Sequence, residues 1–274
     1  AEPGRRYYRL DVSTGLVALG RAERRRERFA EAEAAFAESL AVVDDLLRDF
    51  PDSARYRRRR IEVLDELALC AGLQGQHAQA FDRYEASLAE KEALCREAPE
   101  RCDLAYEAAA TLVNLSNTLV QRVEGLEQAL GFLERAERHL LVCDRQVPPL
   151  AYVVAMQGNA RYLHALALCL LDRPPEAREA IERFGAADAA GALPLRQTAD
   201  LWNEWVLALR RAEPDAVARA EQEALGRRRM LDALRQALEA GYADLDELSH
   251  TPALDSFRAD PEFVALLATL QPGG

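Results

Sequence analysis

At 274 residues, with 49% hydrophobic and 30% charged side chains, the chain is long enough to bury a large core and too apolar to remain disordered. Alanine, leucine, glutamate and arginine dominate and aromatics make up only 7%, which favours helix over sheet. The net charge of −11 argues against nucleic acid as the main partner.

The first amphipathic segment is LDVSTGLVALGRAERR, with Leu16, Leu19 and the small Gly20; RFAEAEAAFAESL follows, with Ala32, Phe36 and Leu40. The second segment is IEVLDELALCAG, with Leu64, Leu67 and the small Ala68. After Gly75, QHAQAFDRYEASL places Ala80, Tyr84 and Leu88 each 48 residues beyond its counterpart. A third copy runs through TLVNLSNTLVQR (Leu112, Leu115, Ser116), Gly125 and GLEQALGFLERA (Ala129, Leu133, Ala136). A fourth joins NARYLHALALCLL (Ala165) to RPPEAREAIERF (Ala177, Ile181, Phe184) through Pro174 and Pro175. Pro51, Pro99 and Pro148 follow the helical stretches at intervals of 48 and 49, where proline cannot continue a helix.

Each unit therefore reads as helix A, tight turn, helix B. A small residue stands where the two helices cross closely, since a larger one would push the axes apart. A period of this length predicts a helical array in which each pair must stack on the next to bury its apolar face.

From about residue 195 the pattern changes. QTADLWNEWVLALRR reads as a helix with Trp202 and Trp205, and Pro214 suits the first turn of the next helix. RRRMLDALRQALEAGY places Leu231, Leu234 and Leu238 on one face and ends at Gly241 as C-cap. Asp260 caps a short final helix with Pro261 at its first position, followed by Phe263, Val264, Leu266 and Leu267. The expected fold is all-α. Four helix hairpins are expected over residues 1–194 (about 7–51, 54–99, 103–148 and 150–185). A fifth pair with a cap fills 195–274, in one continuous solenoid.

The positions Gly20/Ala32/Phe36 and Ala68/Ala80/Tyr84 resemble the small–small–large pattern of the tetratricopeptide repeat (TPR). The period of 48–49 exceeds that family's usual spacing, so the helices must be longer, and leucine fills most aromatic positions of helix A. The ending is similar to the tail of TPR regions attached to bacterial serine/threonine protein kinases. It is carried by Ala240–Gly241–Tyr242, Asp244–Leu245, Leu254–Asp255, Phe257–Arg258 and Pro261–Phe263, with Trp202–Asn203 in place of a Tyr–Asn pair. No Gly-rich phosphate loop, HRD or DFG occurs, so a kinase's catalytic residues cannot be carried over. The resemblance implies a right-handed superhelix that docks a peptide or protein segment in a concave groove lined by A helices. It implies a non-catalytic scaffold linked to a kinase signalling protein. An intramolecular regulatory or dimerisation module of such a kinase is the alternative, and a homodimer is one of its expected partners.

Projected from the small position of each unit, the groove receives Arg21, Arg24, Arg25, Glu62, Asp65, Asn114, Asn117, Gln121, Asn159, Tyr162 and Trp202. Asn114 and Asn117 share a helical face and could hold a peptide backbone, although exposed or locally bonded asparagines are the commoner case. Trp202 and Trp205 read first as packing residues of the fifth pair. The arginine runs RAERRRERF, RYRRRR and RRR read first as solvated faces with Glu23, Glu27 and Glu31 in i,i+4 pairs, and second as sites for an acidic or phosphorylated segment.

His77, His139, His164 and His250 are dispersed, and no catalytic role, cofactor or metal site is expected. Five cysteines without a CxxC pair read as mostly buried thiols in a reducing compartment, which favours the cytoplasm. With no membrane span and no signal-peptide pattern after Ala1, the expected place is the cytoplasm, or outside the membrane if a parent kinase carries a membrane helix first. The chain reads as a fragment of something longer.

Overall fold

The computed structural model describes residues 3–145, 149–188, 191–213, 215–242, 244, 248, 254 and 258–268. Among these residues every regular element is a helix, and consecutive helices pair as tetratricopeptide-like hairpins. The helices are α1 (Pro3–Arg25), α2 (Phe29–Asp49), α3 (Ala54–Leu73), α4 (His77–Glu97), α5 (Cys102–Arg122) and α6 (Leu126–Leu140). They continue with α7 (Ala151–Leu170), α8 (Pro174–Asp188), α9 (Ala192–Ala212), α10 (Ala216–Glu239) and α11 (Pro261–Ala268). The chain divides into two compact units, residues 1–118 with 135–150, and residues 119–134 with 151–274. Helices α5 and α6 contribute to both.

In the first unit α1 packs on α2, α2 on α3 and α3 on α4. The small residue of the first hairpin is Gly20, and a Cβ there would lie 2.5 Å from the Phe36 ring, which is itself fully buried. Phe36 joins Val17, Ala32, Val63, Leu67 and Cys70 in one apolar cluster that spans both hairpins. Tyr84, at the corresponding place in α4, is half-buried, and burial pushes its phenol up to about 12. Leu133 is buried in the second unit.

The turns repeat with the same regularity. Glu27, Gly75, Val123 and Asp172 all adopt positive φ, from 53° to 73°. The residue after each closes the helix end by donating its backbone N–H to a carbonyl in the last turn: Arg28 to Glu23, Gln76 to Ala71, Glu124 to Leu119 and Arg173 to Leu168. Glycine, the residue suited to this backbone, occupies only the second of these four positions. The third turn contains one extra residue before Ala129, with Gly125 also at positive φ, and this accounts for the step of 49 in the register.

The cysteine expectation is corrected. Cys102, at the start of α5, is disulfide-bonded to Cys143 in the 3-10 turn after α6, with Cα atoms 4.8 Å apart. The partners are 41 residues apart, so their meeting depends on the hairpin and not on any local motif. The argument from reduced cysteines for a reducing compartment falls with it. Cys70, Cys95 and Cys169 are free, and burial raises all three thiols, Cys95 to about 11.

In the second unit α7 packs on α8, α8 on α9, and α9 on α10. The small residue has changed sides here: Gly226 of α10 faces Val206 and Trp205 of α9, and a Cβ would come within 2.6 Å of Val206. Trp205 is buried and its indole N–H donates to the Pro174 carbonyl at 2.7 Å, tying α9 to the first turn of α8. Asp215 caps α10 through the N–H groups of Val217 and Ala218, while Pro214 lies outside the described residues. Gly241, at φ 92°, ends α10, with the Tyr242 N–H bonded to the Ala237 carbonyl.

Asp260 caps α11 through the N–H groups of Glu262 and Phe263, and Phe263 is buried. Arg227 of α10 clamps this cap by binding both Asp260 and Glu262. Leu245, Asp255 and Phe257 of the tail lie outside the described residues.

Two outcomes follow from these geometries. Thermal melts of Gly20→Ala and Val123→Gly should move in opposite directions. The first overpacks a closed ring contact and should lose about 1–3 kcal/mol. The second relieves an exposed β-branched residue of a left-handed backbone and should gain about 1 kcal/mol. The second outcome concerns pH. The Arg227 hydrogen bonds hold the Asp260 carboxyl at about 2, below its ordinary 3.8. Because the folded value is the lower one, its stabilisation is complete above the unfolded value and fades as pH falls towards 2. The difference in melting temperature between the parent and Asp260→Asn should therefore shrink from pH 5 to pH 2.

Candidate functional site

The three A helices of the first unit wall a groove of about 440 Å³. Leu10 and Arg21 come from α1 and Glu107 from α5. Helix α3 supplies Arg55, Arg58, Arg59, Ile61, Glu62, Asp65 and Glu66. Side chains three, four and seven apart on one helix share a face, so α3 presents its basic first turns and its acidic middle to the same space.

The charges are largely committed to one another. Arg21 donates to Glu66 at 2.5 Å and to Glu62 at 2.8 Å, and Arg24 donates to Glu66 at 3.2 Å. Arg59 binds Glu62 and the Thr14 hydroxyl, and Arg58 reaches Asp103 and Glu107. Neighbouring Arg57 pairs with Glu97, and Arg60 bridges Asp44 and Glu90. The RYRRRR run is thus a set of ties between helices, a role that neither sequence reading anticipated. The i,i+4 ladder expected in the first run is also replaced: Glu23 receives Arg26 and Arg28, while Glu27 has left the helix for the turn. Arg55 is exposed on the groove wall and carries no ion pair among the described residues.

Beneath the groove lies a buried polar node. Lys91 of α4, only 4% exposed, donates to Asp65 of α3 at 2.6 Å and to the Thr111 hydroxyl of α5 at 2.5 Å. The buried Ser87 hydroxyl donates to the other Asp65 oxygen at 2.6 Å. The Lys91 amine therefore fastens three helices, and the carboxylate it binds faces the groove at the same time. The available sequence signal was that Lys91 is the only lysine in the chain.

Of the residues projected from the repeat, Arg21, Glu62 and Asp65 line this groove together, and Arg24 reaches it through Glu66. Arg25 is exposed beside them. Asn114 is exposed and Asn117 half-buried on α5; neither belongs to the groove wall. Gln121, Asn159, Tyr162 and Trp202 belong to the second unit. Tyr162 is largely buried against Phe184, with ring centroids 6.0 Å apart, and burial pushes its phenol up to about 12. Trp202 is 4% exposed and meets Trp205 edge to face at 5.4 Å, so it is a packing residue. It also lines a cleft of about 330 Å³ with Ile181, Leu195, Thr198 and Arg229.

Among the described residues no cluster of three or more His, Cys, Asp or Glu side chains could hold a metal ion, and no helix is long and apolar enough to cross a membrane.

Removing the amine of the node should be costly. Lys91→Met leaves Asp65 facing Ser87 alone and should lower stability by about 2–3 kcal/mol, measured by urea denaturation. Asp65→Asn/Lys91→Met together should recover part of that loss, because the stranded carboxylate is then gone.

No protein-family model and no curated protein matches the chain. Among solved structures it is similar to a thermophilic TPR protein from Thermus thermophilus, at 18% identity, 81% of this chain, 99% of that one and a TM-score of 0.35. So loose a superposition adds nothing to the hairpin register, on which the tetratricopeptide-like assignment rests.

Proposed function

We propose that the chain is a non-catalytic interaction scaffold whose first unit docks an extended protein segment in the groove of α1, α3 and α5. The observation that carries this reading is the groove itself: it is walled by the A helices and mixes four arginines with four carboxylates. Mutual pairing holds most of these side chains in place before any ligand arrives, which lowers the ordering cost of binding. Arg55 supplies the uncommitted cation, so the segment favoured is one that places an acidic side chain there.

Glu107, Ala110, Asn114 and Asn117 fall on one stripe of α5. In this reading the asparagines extend the wall and bond the backbone of the segment. The likeness of the tail to kinase-attached TPR regions supports a link to bacterial serine/threonine kinase signalling.

A peptide array of acidic, basic and neutral decamers, probed with the intact chain, tests the docking role. Acidic members should bind, and Arg55→Glu should weaken them about tenfold while leaving the melting temperature unchanged. Equal binding of the parent and Arg55→Glu to every peptide would remove the groove as the site.

A further inference from the structure

The outer side of α1 carries an exposed apolar stripe that no other described residue covers. Tyr8 is 71% exposed, Val12 36% and Leu19 51%, and Gly15 stands between them on the same face. The spacings of four, three and four residues form a continuous seam on one helix. In the repeat register this is a packing side. Forty-eight residues on, Tyr56 and Leu67 occupy the places of Tyr8 and Leu19, and they are only 8% and 4% exposed. Tyr56 packs on Leu10 and Leu46, and Val63 and Leu67 pack on Val17, Ala32 and Phe36 of the preceding hairpin.

The charges distinguish between occupants. Between the first two hairpins the apolar contact is flanked by ion pairs, with Arg60 on Asp44, Glu62 on Arg21, and Glu66 on Arg21 and Arg24. On α1 the corresponding positions are Val12, Thr14 and Ala18. Another hairpin of the same kind would bring arginines and an aspartate to a surface where Val12, Thr14 and Ala18 replace the charged partners and the one carboxylate, Asp11, lies at the border. An apolar, nearly uncharged stripe, with Asp11 on its border, suits a second stripe like itself.

Gly15 points the same way. An exposed glycine inside a helix costs about 1 kcal/mol relative to alanine. Gly20 and Gly226 are explained by rings that crowd them, but among the described residues a Cβ on Gly15 would meet nothing within 4 Å. Gly131 is equally open, yet its exposed neighbours one turn away are Glu127 and Glu134. Gly15 is flanked by Val12 and Leu19, where a missing side chain would let a second helix approach closely.

We propose that α1 pairs with α1 of a second copy of this chain, the two helices crossing at Gly15. With 23 residues, α1 offers a seam of about 34 Å. A two-fold antiparallel crossing sets Tyr8 beside Ala22 and Val12 beside Ala18, large against small, and sets Leu19 beside Asp11 at the border of the stripe.

Sedimentation equilibrium of the whole chain tests this. The parent should be a dimer at micromolar concentration, and Gly15→Arg should raise the dissociation constant about 100-fold. Gly15→Arg should keep the parent's fold and at least its helicity, because the site is open among the described residues and arginine favours helix over glycine. Leu19→Asp, at an exposed position, should act in the same sense and provides a second variant if Gly15→Arg fails to fold. A parent that stays monomeric at about 100 µM overturns the proposal and gives the face to another occupant. A dimer that survives both substitutions overturns it as well, since the contact then lies elsewhere. Neither substitution touches the groove, so loss of dimer with unchanged peptide binding separates this proposal from the docking role.

Discussion

A helix with one apolar stripe gains stability only when a second helix comes close enough to exclude water along that stripe. In the first hairpin the distance is set by Gly20 against Phe36, and in the last by Gly226 against Trp205 and Val206. The two solutions are mirror images in chain order, with the small residue on the first helix in one case and on the second in the other. What is maintained is the close crossing, not the identity of the helix that yields. Long helices then carry the seam on to the neighbouring hairpin, as the cluster of Phe36, Val63 and Leu67 shows.

Around these apolar seams lies a second layer of arginine–carboxylate ties. Single exposed pairs of this kind contribute little, about 0–1 kcal/mol each. Their value here is directional: Arg60 to Asp44, Arg83 to Glu33 and Arg135 to Glu92 each connect different helices and so oppose slippage of one past another. In the second unit Arg211 does the same by reaching Asp172 and the Cys169 carbonyl. Arginine suits this task because its planar fork can bind two acceptors at once and keeps its charge at any ordinary pH. A side-chain population that reads as a solvated surface in one dimension is therefore a bracing system in three.

The helices, the crossing at Gly20 and the caps at Asp260 and Gly241 were legible in the sequence because each depends on residues near one another in the chain, whereas the crossing at Gly226 was not read. The groove was legible in part. Arg21, Glu62 and Asp65 follow from counting along the A helices, whereas Trp202, projected by the same count, is buried as its first reading as a packing residue had it. Features that depend on distant residues were not legible. The Cys102–Cys143 bond needs the α5–α6 excursion to bring its ends together, and the partners of Arg57 to Arg60 lie on other helices. The turn positions Glu27, Val123 and Asp172 were hidden because their residue types do not announce the backbone they adopt.

The polar node at Asp65 has a chemical corollary. The one primary amine among the side chains is Lys91, and it is closed off between a carboxylate and a hydroxyl. While folded, the protein offers acylating enzymes, isopeptide-forming ligases and amine-reactive cross-linkers no accessible ε-amino group. A reagent that labels Lys91 would report the opening of three helices, so the residue is a built-in probe of local unfolding.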